Sequence, residues 1–334
     1  MDREIIMFIV ESGDLENKAS LLVKSLILFL GADRENVDIV AIKPRSGARL
    51  NNNTLSLFRE NNVKFYDVDL NKKWDLPFAN QAYASAYVEE NYPDSKMIYL
   101  DTDIVCLNNP ILFKLDGNKK LGILADSFRN GNVSIKYGKR INKYWTNVAH
   151  ILNLNLDKLY PIKNSVDGKL VYTYFNTGII IEQNTKNGIF KLWKDAFENL
   201  ALQEYMSKIE NTREYRFIDQ VVISLLISNK FKKDDIEILP REFHFQFGKV
   251  KKLYKYNNRG KIDLRNVTFL HYHSSFYNID WKNMVLIEDK KFMFLMKNIP
   301  LPALQDNRRN IINKIIKNIR EKYKRIVCKL NRLI

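Results

Sequence analysis

The feature that most constrains this chain is the alternation of short apolar runs with helix-period segments near its start. Ile5–Val10 is an unbroken apolar run, and Glu16–Leu30 carries its apolar side chains at helical steps. Val37–Ile42 then reads as a strand, Thr54–Asn61 as a helix and Val63–Val68 as a third strand. Apolar runs of this length suit strands buried on both faces, and strands separated by helices pair in parallel. The expected class is therefore α/β, a mostly parallel sheet flanked by helices. Such sheets bind ligands beyond the carboxyl ends of their strands. The loop after the first strand, with Glu11 and Ser12, is thus a candidate substrate contact. Neither GxGxxG nor GxxxxGKS occurs, so a dinucleotide fingerprint and a P-loop are excluded.

The stretch Lys96–Pro110 sharpens the expectation. Met97–Leu100 predicts a buried strand that delivers Asp101-Thr102-Asp103 at its carboxyl end, with Ile104-Val105 following. Carboxylates two residues apart on an extended chain face the same side. Two such charges where a strand leaves the core call for a cation. Mg²⁺ or Mn²⁺ suits them, because these ions pair carboxylates with the oxygens of a substrate phosphate. Two solvated loop acids are the plainer alternative, but acids of that kind seldom lie between two apolar runs.

The segment YLDTDIVCLNNP resembles the DxD segment of glycosyltransferases with the GT-A fold, specifically those of family 8, which includes lipopolysaccharide galactosyl- and glucosyltransferases and glycogenin. Three further segments carry the resemblance as far as Trp281. Tyr172–Ile181, YTYFNTGIII, resembles the family's Phe-Asn-Ser/Thr-Gly strand, and Asn176, Thr177 and Gly178 fall on its motif. Asn176 offers donor and acceptor groups to sugar hydroxyls, and Gly178 allows close backbone approach. Arg216–Gln220 matches the family's Asp-Gln pair, which implies that Asp219 and Gln220 reach the sugar or its leaving group. Val267–Trp281 presents His271 and His273 on one side of a strand end. The resemblance implies that His271 completes the metal shell of Asp101 and Asp103, with Thr102 and His273 beside the donor. Ile279-Asp280-Trp281 stands where the family has Lys-Pro-Trp, which leaves Lys282 as the candidate for the diphosphate. Asp126, after the apolar strand Leu121–Ala125, sits where family members place an acid near the donor sugar; a capping or loop role explains it as well. Asn80 and Gln81, in the expected helix Pro77–Glu90, occupy the neighbourhood of the family's basic donor contact, so Arg45 or Arg49 is the substitute. Trp145–Leu152 and Thr185–Ser207 each read as one helix.

The resemblance implies a GT-A fold with a Rossmann-like, mostly parallel sheet. It also implies a metal-dependent transferase that moves a sugar from a nucleotide-diphosphate sugar, UDP-linked, to a glycan or lipid-linked acceptor with retention of configuration; an inverting GT-A transferase is the alternative, and it would need a general base near the acceptor that no residue clearly supplies. Paired aspartates would also serve a nucleotidyltransferase or phosphohydrolase, but no second paired-acid segment ends a strand. An inactive sugar-nucleotide-binding protein would have no need of an intact DxD with a partner histidine.

The chain has 334 residues, of which 46% are hydrophobic and 12% aromatic, enough for a large core. Its two cysteines, Cys106 and Cys328, form no disulfide framework, and a reducing compartment follows. MDREIIMFIVESGD lacks a cationic lead and cleavage site, so it is a first strand rather than a signal peptide. Leu21–Leu30, interrupted by Lys24, is too short to span a bilayer. The net charge of +16 is concentrated late: residues 308–334 hold ten Lys or Arg against one acid, a net +9. Nucleic-acid binders spread basic residues over a face and interleave aromatics, and this segment has only Tyr323. Its isoleucines recur at three- and four-residue steps opposite the basic residues, the pattern of a basic amphipathic helix at an anionic membrane surface. The expected organisation is a catalytic domain over 1–299 and a helical tail over 300–334. The expected location is cytoplasmic, peripheral on the inner face of a membrane.

Overall fold

The computed structural model of the chain describes residues 4–72, 76–126, 133, 135–250, 260–273, 275–277 and 281–299. The tail 300–334 and part of the polar segment 129–168 therefore lie outside the described residues. The first half alternates β1 (Glu4–Ile9), α1 (Asp14–Leu30), β2 (Val37–Lys43), α2 (Asn52–Glu60), β3 (Lys64–Asp67), α3 (Asn80–Asn91), β4 (Lys96–Leu100), β5 (Ile104–Cys106) and β6 (Leu121–Ala125). Then come α4 (Lys143–Ile151), the small antiparallel pair β7 (Pro161–Lys163) and β8 (Leu170–Tyr172), β9 (Phe175–Glu182), α5 (Ile189–Glu198), α6 (Leu200–Lys208) and α7 (Ile218–Lys230). The last described part holds β10 (Ile236–Ile238), β11 (His244–Gln246), β12 (Ile262–Asp263), β13 (Phe269–His271), β14 (Val285–Leu286) and α8 (Asp289–Asn298).

Seven strands form the central sheet in the order β10-β6-β9-β4-β1-β2-β3. All neighbours are parallel except β9, which runs antiparallel to both β4 and β6. This is the mostly parallel, Rossmann-like α/β sheet expected of a GT-A fold. The apolar runs need two covered faces and get them. Along β1, Ile5 and Met7 enter a core shared with α3, α4, α5 and α7, while Ile6 and Phe8 enter one shared with α1 and α2. Side chains of period two are divided between the layers, so the inner strands are covered on both faces and the edge strands β3 and β10 meet water.

A second sheet fixes the chemistry. It has the order β11-β13-β5, with β13 antiparallel to β5 in the register His271↔Ile104 and parallel to β11 in the register Gln246↔His271. Because β5 begins one residue after Asp103, this register carries the end of β13 to the DxD turn. The backbone N–H of Tyr272 donates to the carbonyl of Asp103 at 3.1 Å. Behind this sheet a third core gathers Phe247, Leu270, Tyr272, Phe276, Trp281 and Leu295.

One expectation is corrected. Thr185–Ser207 is not a single helix: a 3-10 turn at Thr185–Asn187 precedes α5, and the chain breaks between α5 and α6. Asn199 is extended there (φ −64°, ψ 117°), and its side chain accepts the N–H of Leu202 as the cap of α6. An Asn suits a cap better than a helix interior, and the apolar period of the sequence runs through the break without showing it.

Candidate active site

The site is built at the carboxyl end of β4, where the sheet gives way to the DxD turn. The N–H of Asp101 donates to the carbonyl of Gly178 on β9 at 2.7 Å, and the Thr102 hydroxyl donates to the carbonyl of Ile9 at the end of β1 at 2.7 Å. Thr102 is thus a structural tie across the sheet. Asp101 accepts from the Tyr99 hydroxyl at 2.8 Å. Burial, with Asp103 next to it, pushes its carboxyl up to about 8, the mark of a site that wants a positive partner.

Asp103 faces the histidines. Its Oδ1 lies 2.9 Å from Nε2 of His271 and its Oδ2 3.6 Å from Nδ1 of His273. Burial works against the charge of Asp103, yet the two rings hold its carboxyl well below the usual range. Asp103, His271 and His273 offer three ligand atoms within 4.8 Å of one another. Asp101 stands a step back, its Oδ2 4.0 Å from Nε2 of His271. His273 leaves the strand in the left-handed region, φ 51°, so the two rings converge at 4.0 Å between centroids. Left-handed backbone at a non-glycine residue is a form of strain that clusters at functional sites. One carboxylate and two imidazoles suit a divalent transition ion, Mn²⁺ better than Mg²⁺, which prefers an all-oxygen shell.

Gly178 makes room for the histidine. A Cβ there would lie 2.8 Å from Cε1 and Nδ1 of His271 and 2.8 Å from Oδ1 of Asn176, closer than such atoms approach. The sequence suggested that Gly178 admits a ligand; what it admits is a ring of the site. Asn176 is 3% exposed. Its Oδ1 accepts the N–H of Gly178 at 2.9 Å, and its Nδ2 donates to Asp126 at 3.2 Å. Both contacts shape the strand end.

Asp126 is also turned inward. It is fully buried and salt-bridged to Lys249, whose ammonium its carboxylate holds in place. Sequence reasoning missed Lys249, which follows β11 after Phe247-Gly248. Gly248 allows His273 to lie against the backbone, with a Cβ there only 3.2 Å from Cδ2 of His273. Lys282, the lysine chosen from the sequence, is exposed on the 3-10 turn Lys282–Met284. Among the described residues no hydrogen bond ties it to the carboxylates or the histidines.

Asp219 and Gln220 open α7 behind the strand end. Asp219 accepts from Nε2 of Gln81 at 2.8 Å and from the Thr177 hydroxyl at 3.0 Å, both at Oδ2. Its Oδ1 is buried without a partner among the described residues, and burial raises its carboxyl to about 6. Gln220 accepts the Tyr174 hydroxyl at 2.7 Å through Oε1, which leaves its amide hydrogens as the end to present. Glu11 is committed to the guanidinium of Arg45 and to Nδ2 of Asn80. Both members of the Glu11–Arg45 pair are therefore tied down, while Ser12 is exposed on the loop beside them.

A model of the Rhodobacterales glycosyltransferase domain matches residues 6–230, the greater part of the sequence. The chain belongs to that glycosyltransferase family. The match takes in the central sheet except β10, the DxD turn, the Asn-Thr-Gly strand and the Asp-Gln helix of this glycosyltransferase, and stops short of the histidine strand β13. No curated protein matches the sequence. Solved structures similar to it include the bifunctional glycosyltransferase WbbM, at 15% identity and TM-score 0.49 over 92% of this chain and 50% of that one. GlyE of Streptococcus pneumoniae TIGR4 is 15% identical with TM-score 0.49, over 89% and 60% of the two chains. The galactosyltransferase LgtC is 16% identical with TM-score 0.48, over 91% and 99%. The chain thus spans about half of WbbM and somewhat more of GlyE.

Proposed function

We propose that this glycosyltransferase is a divalent-cation-dependent enzyme of the family 8 type. It takes a sugar from a nucleoside-diphosphate donor, UDP-linked, and passes it with retention to a glycan or lipid-linked acceptor. The observation that carries the reading is the convergence of Asp103, His271 and His273 beside Asp101 at the end of β4. A cation held there supplies charge neutralisation for the diphosphate as the glycosidic bond breaks. Lys249, anchored by Asp126, supplies a second positive charge on the phosphate side. Asp219 and Gln220 steady the sugar from the opposite side, the second through its amide. The basic stripe at 308–334 supports a place at an anionic membrane surface, where a lipid-linked acceptor would be met; each Lys or Arg at such a surface contributes about 1 kcal/mol. Among the described residues no helix is long and apolar enough to cross a membrane.

The test is hydrolysis of a panel of nucleotide sugars with and without Mn²⁺. Turnover of at least one donor that is lost on chelation and restored by Mn²⁺ is the expected result. Full turnover in chelator, or cleavage of nucleoside triphosphates in preference to nucleotide sugars, would overturn the reading.

A further inference from the structure

His244, at the start of β11, belongs to no motif, yet it touches the site. Its Nε2 lies 3.1 Å from Nδ1 of His271, the nitrogen that faces away from Asp103. The rings are 13° from coplanar with centroids 5.4 Å apart. That separation exceeds the N–N distance by about one ring width, so the two nitrogens point at each other in plane, as a hydrogen bond requires, and the rings do not stack face to face. Exposure is 0% for His244 and 3% for His271. Burial of that depth denies an imidazolium the hydration its charge needs, so both rings are taken as neutral. The other nitrogen of His244, Nδ1, is buried without a partner among the described residues.

Two neutral rings in line with a carboxylate allow only a matched set of tautomers. Without a cation, Asp103 is the acceptor at 2.9 Å, so Nε2 of His271 carries the proton and its Nδ1 is bare. His244 must then donate from Nε2, and its own Nδ1 is bare. To ligate a cation, His271 must bare Nε2 and carry its proton on Nδ1. His244 must then accept at Nε2 and carry its proton on Nδ1. The far end of His244 allows both states, because among the described residues no fixed donor or acceptor locks it into one of them.

We infer that His244 is a positioning residue for the cation site: it sets the orientation and tautomer of His271, and the two histidines exchange tautomers together when a cation binds. The protons balance. Each ring carries one proton in both states: the one on Nε2 of His244 crosses to Nδ1 of His271, and Nδ1 of His244 gains the proton that Nε2 of His271 gives up. This inference rests on the cation reading of the Asp103 site.

The experiment uses the full chain with ¹⁵N-labelled histidine, of which there are only four. Ring tautomers are read by long-range nitrogen–proton correlation, first metal-free and then with Zn²⁺, a diamagnetic ion that accepts imidazole and carboxylate ligands. Both rings should be Nε2–H without metal and Nδ1–H with it. If His271 responds and His244 does not, the inference falls while the cation reading stands; if no ring responds, both fall. Mn²⁺ affinity is then measured without donor for His244→Gln and His244→Phe, with thermal unfolding as a check of the fold. Gln can turn either end of its amide to His271 and should keep affinity near wild type. Phe fills the ring's space but offers nothing, and should lose affinity by about 10- to 100-fold, the usual effect of removing an outer partner of a metal ligand. Phe binding as well as Gln would mean that His244 only packs. Should neither variant fold, the wild-type spectra alone decide.

Discussion

Lys249→Met should be among the most damaging single changes outside the cores, and the reason is electrostatic. Asp126 has no exposed surface, whereas Lys249 keeps 19% of its side chain in contact with solvent. Removing the lysine leaves a carboxylate that water cannot reach, and breaking a buried pair from one side costs about 3 to 5 kcal/mol. Removing the carboxylate is milder, because Lys249 can turn its ammonium toward water; Asp126→Asn should cost about 1 to 2 kcal/mol, near the cost of an ordinary lost hydrogen bond. The double variant should then be more stable than Lys249→Met alone, since it has no charge left to desolvate. Urea unfolding followed by far-ultraviolet circular dichroism gives the three midpoints, and an unchanged slope confirms that the unfolded states are comparable. A Lys249→Met protein within about 1 kcal/mol of wild type, or a double variant less stable than it, would refute the reasoning.

Gly178→Ala places a methyl group 2.8 Å from the His271 ring; it should cost about 1 to 3 kcal/mol by overpacking and weaken Mn²⁺ binding, and calorimetric titration checks both. Asp103→Asn should abolish cation-dependent turnover while leaving the melting temperature near wild type, and Mn²⁺-stimulated activity in that variant would count against the site. Asp219 is held at about 6 by burial against the ordinary 3.8, so its contribution to stability is complete below pH 4 and is lost as pH rises through 6. Asp219→Asn should therefore stabilise the protein by at most about 3 kcal/mol at pH 7.5, leave it unchanged at pH 3.5, and slow sugar transfer at either pH; equal stabilisation at both would contradict the assignment. Deleting residues 308–334 should remove salt-sensitive binding to anionic liposomes and spare hydrolysis of the nucleotide sugar, as measured by flotation and by product release.

Much of the sheet was legible because its strands are apolar on both faces: Ile5–Val10, Met97–Leu100 and Leu121–Ala125 have no polar alternation to confuse with a surface element. The DxD turn was legible for the same reason, as acids that end such a run stand out. What escaped is held by pairing across long sequence distances. The strand β11 is three residues long, too short for any period, and its partner β13 begins 25 positions downstream of it. Neither His244 nor Lys249 could be placed at the site without that pairing. Asp126 and Asn176 were visible as polar residues at strand ends, but which way they turn depends on Lys249 and Gly178. The left-handed turn that brings His273 beside Asp103 likewise leaves no mark in Leu270–His273.

The pairing of β13 with β5 has one further consequence, for synthesis of the chain. Asp103 and His271 are joined by strands more than 160 residues apart in sequence, so the two halves of the cation site leave the ribosome far apart in time. The central sheet except β10, and both helical layers with α7, can assemble once residue 230 has emerged. Contacts of such long range form late and slowly. A nascent or truncated chain that ends before His271 can therefore hold most of the folded sheet and still lack half of the cation site proposed above. If that site binds the donor as proposed, donor binding reports that synthesis has passed that point.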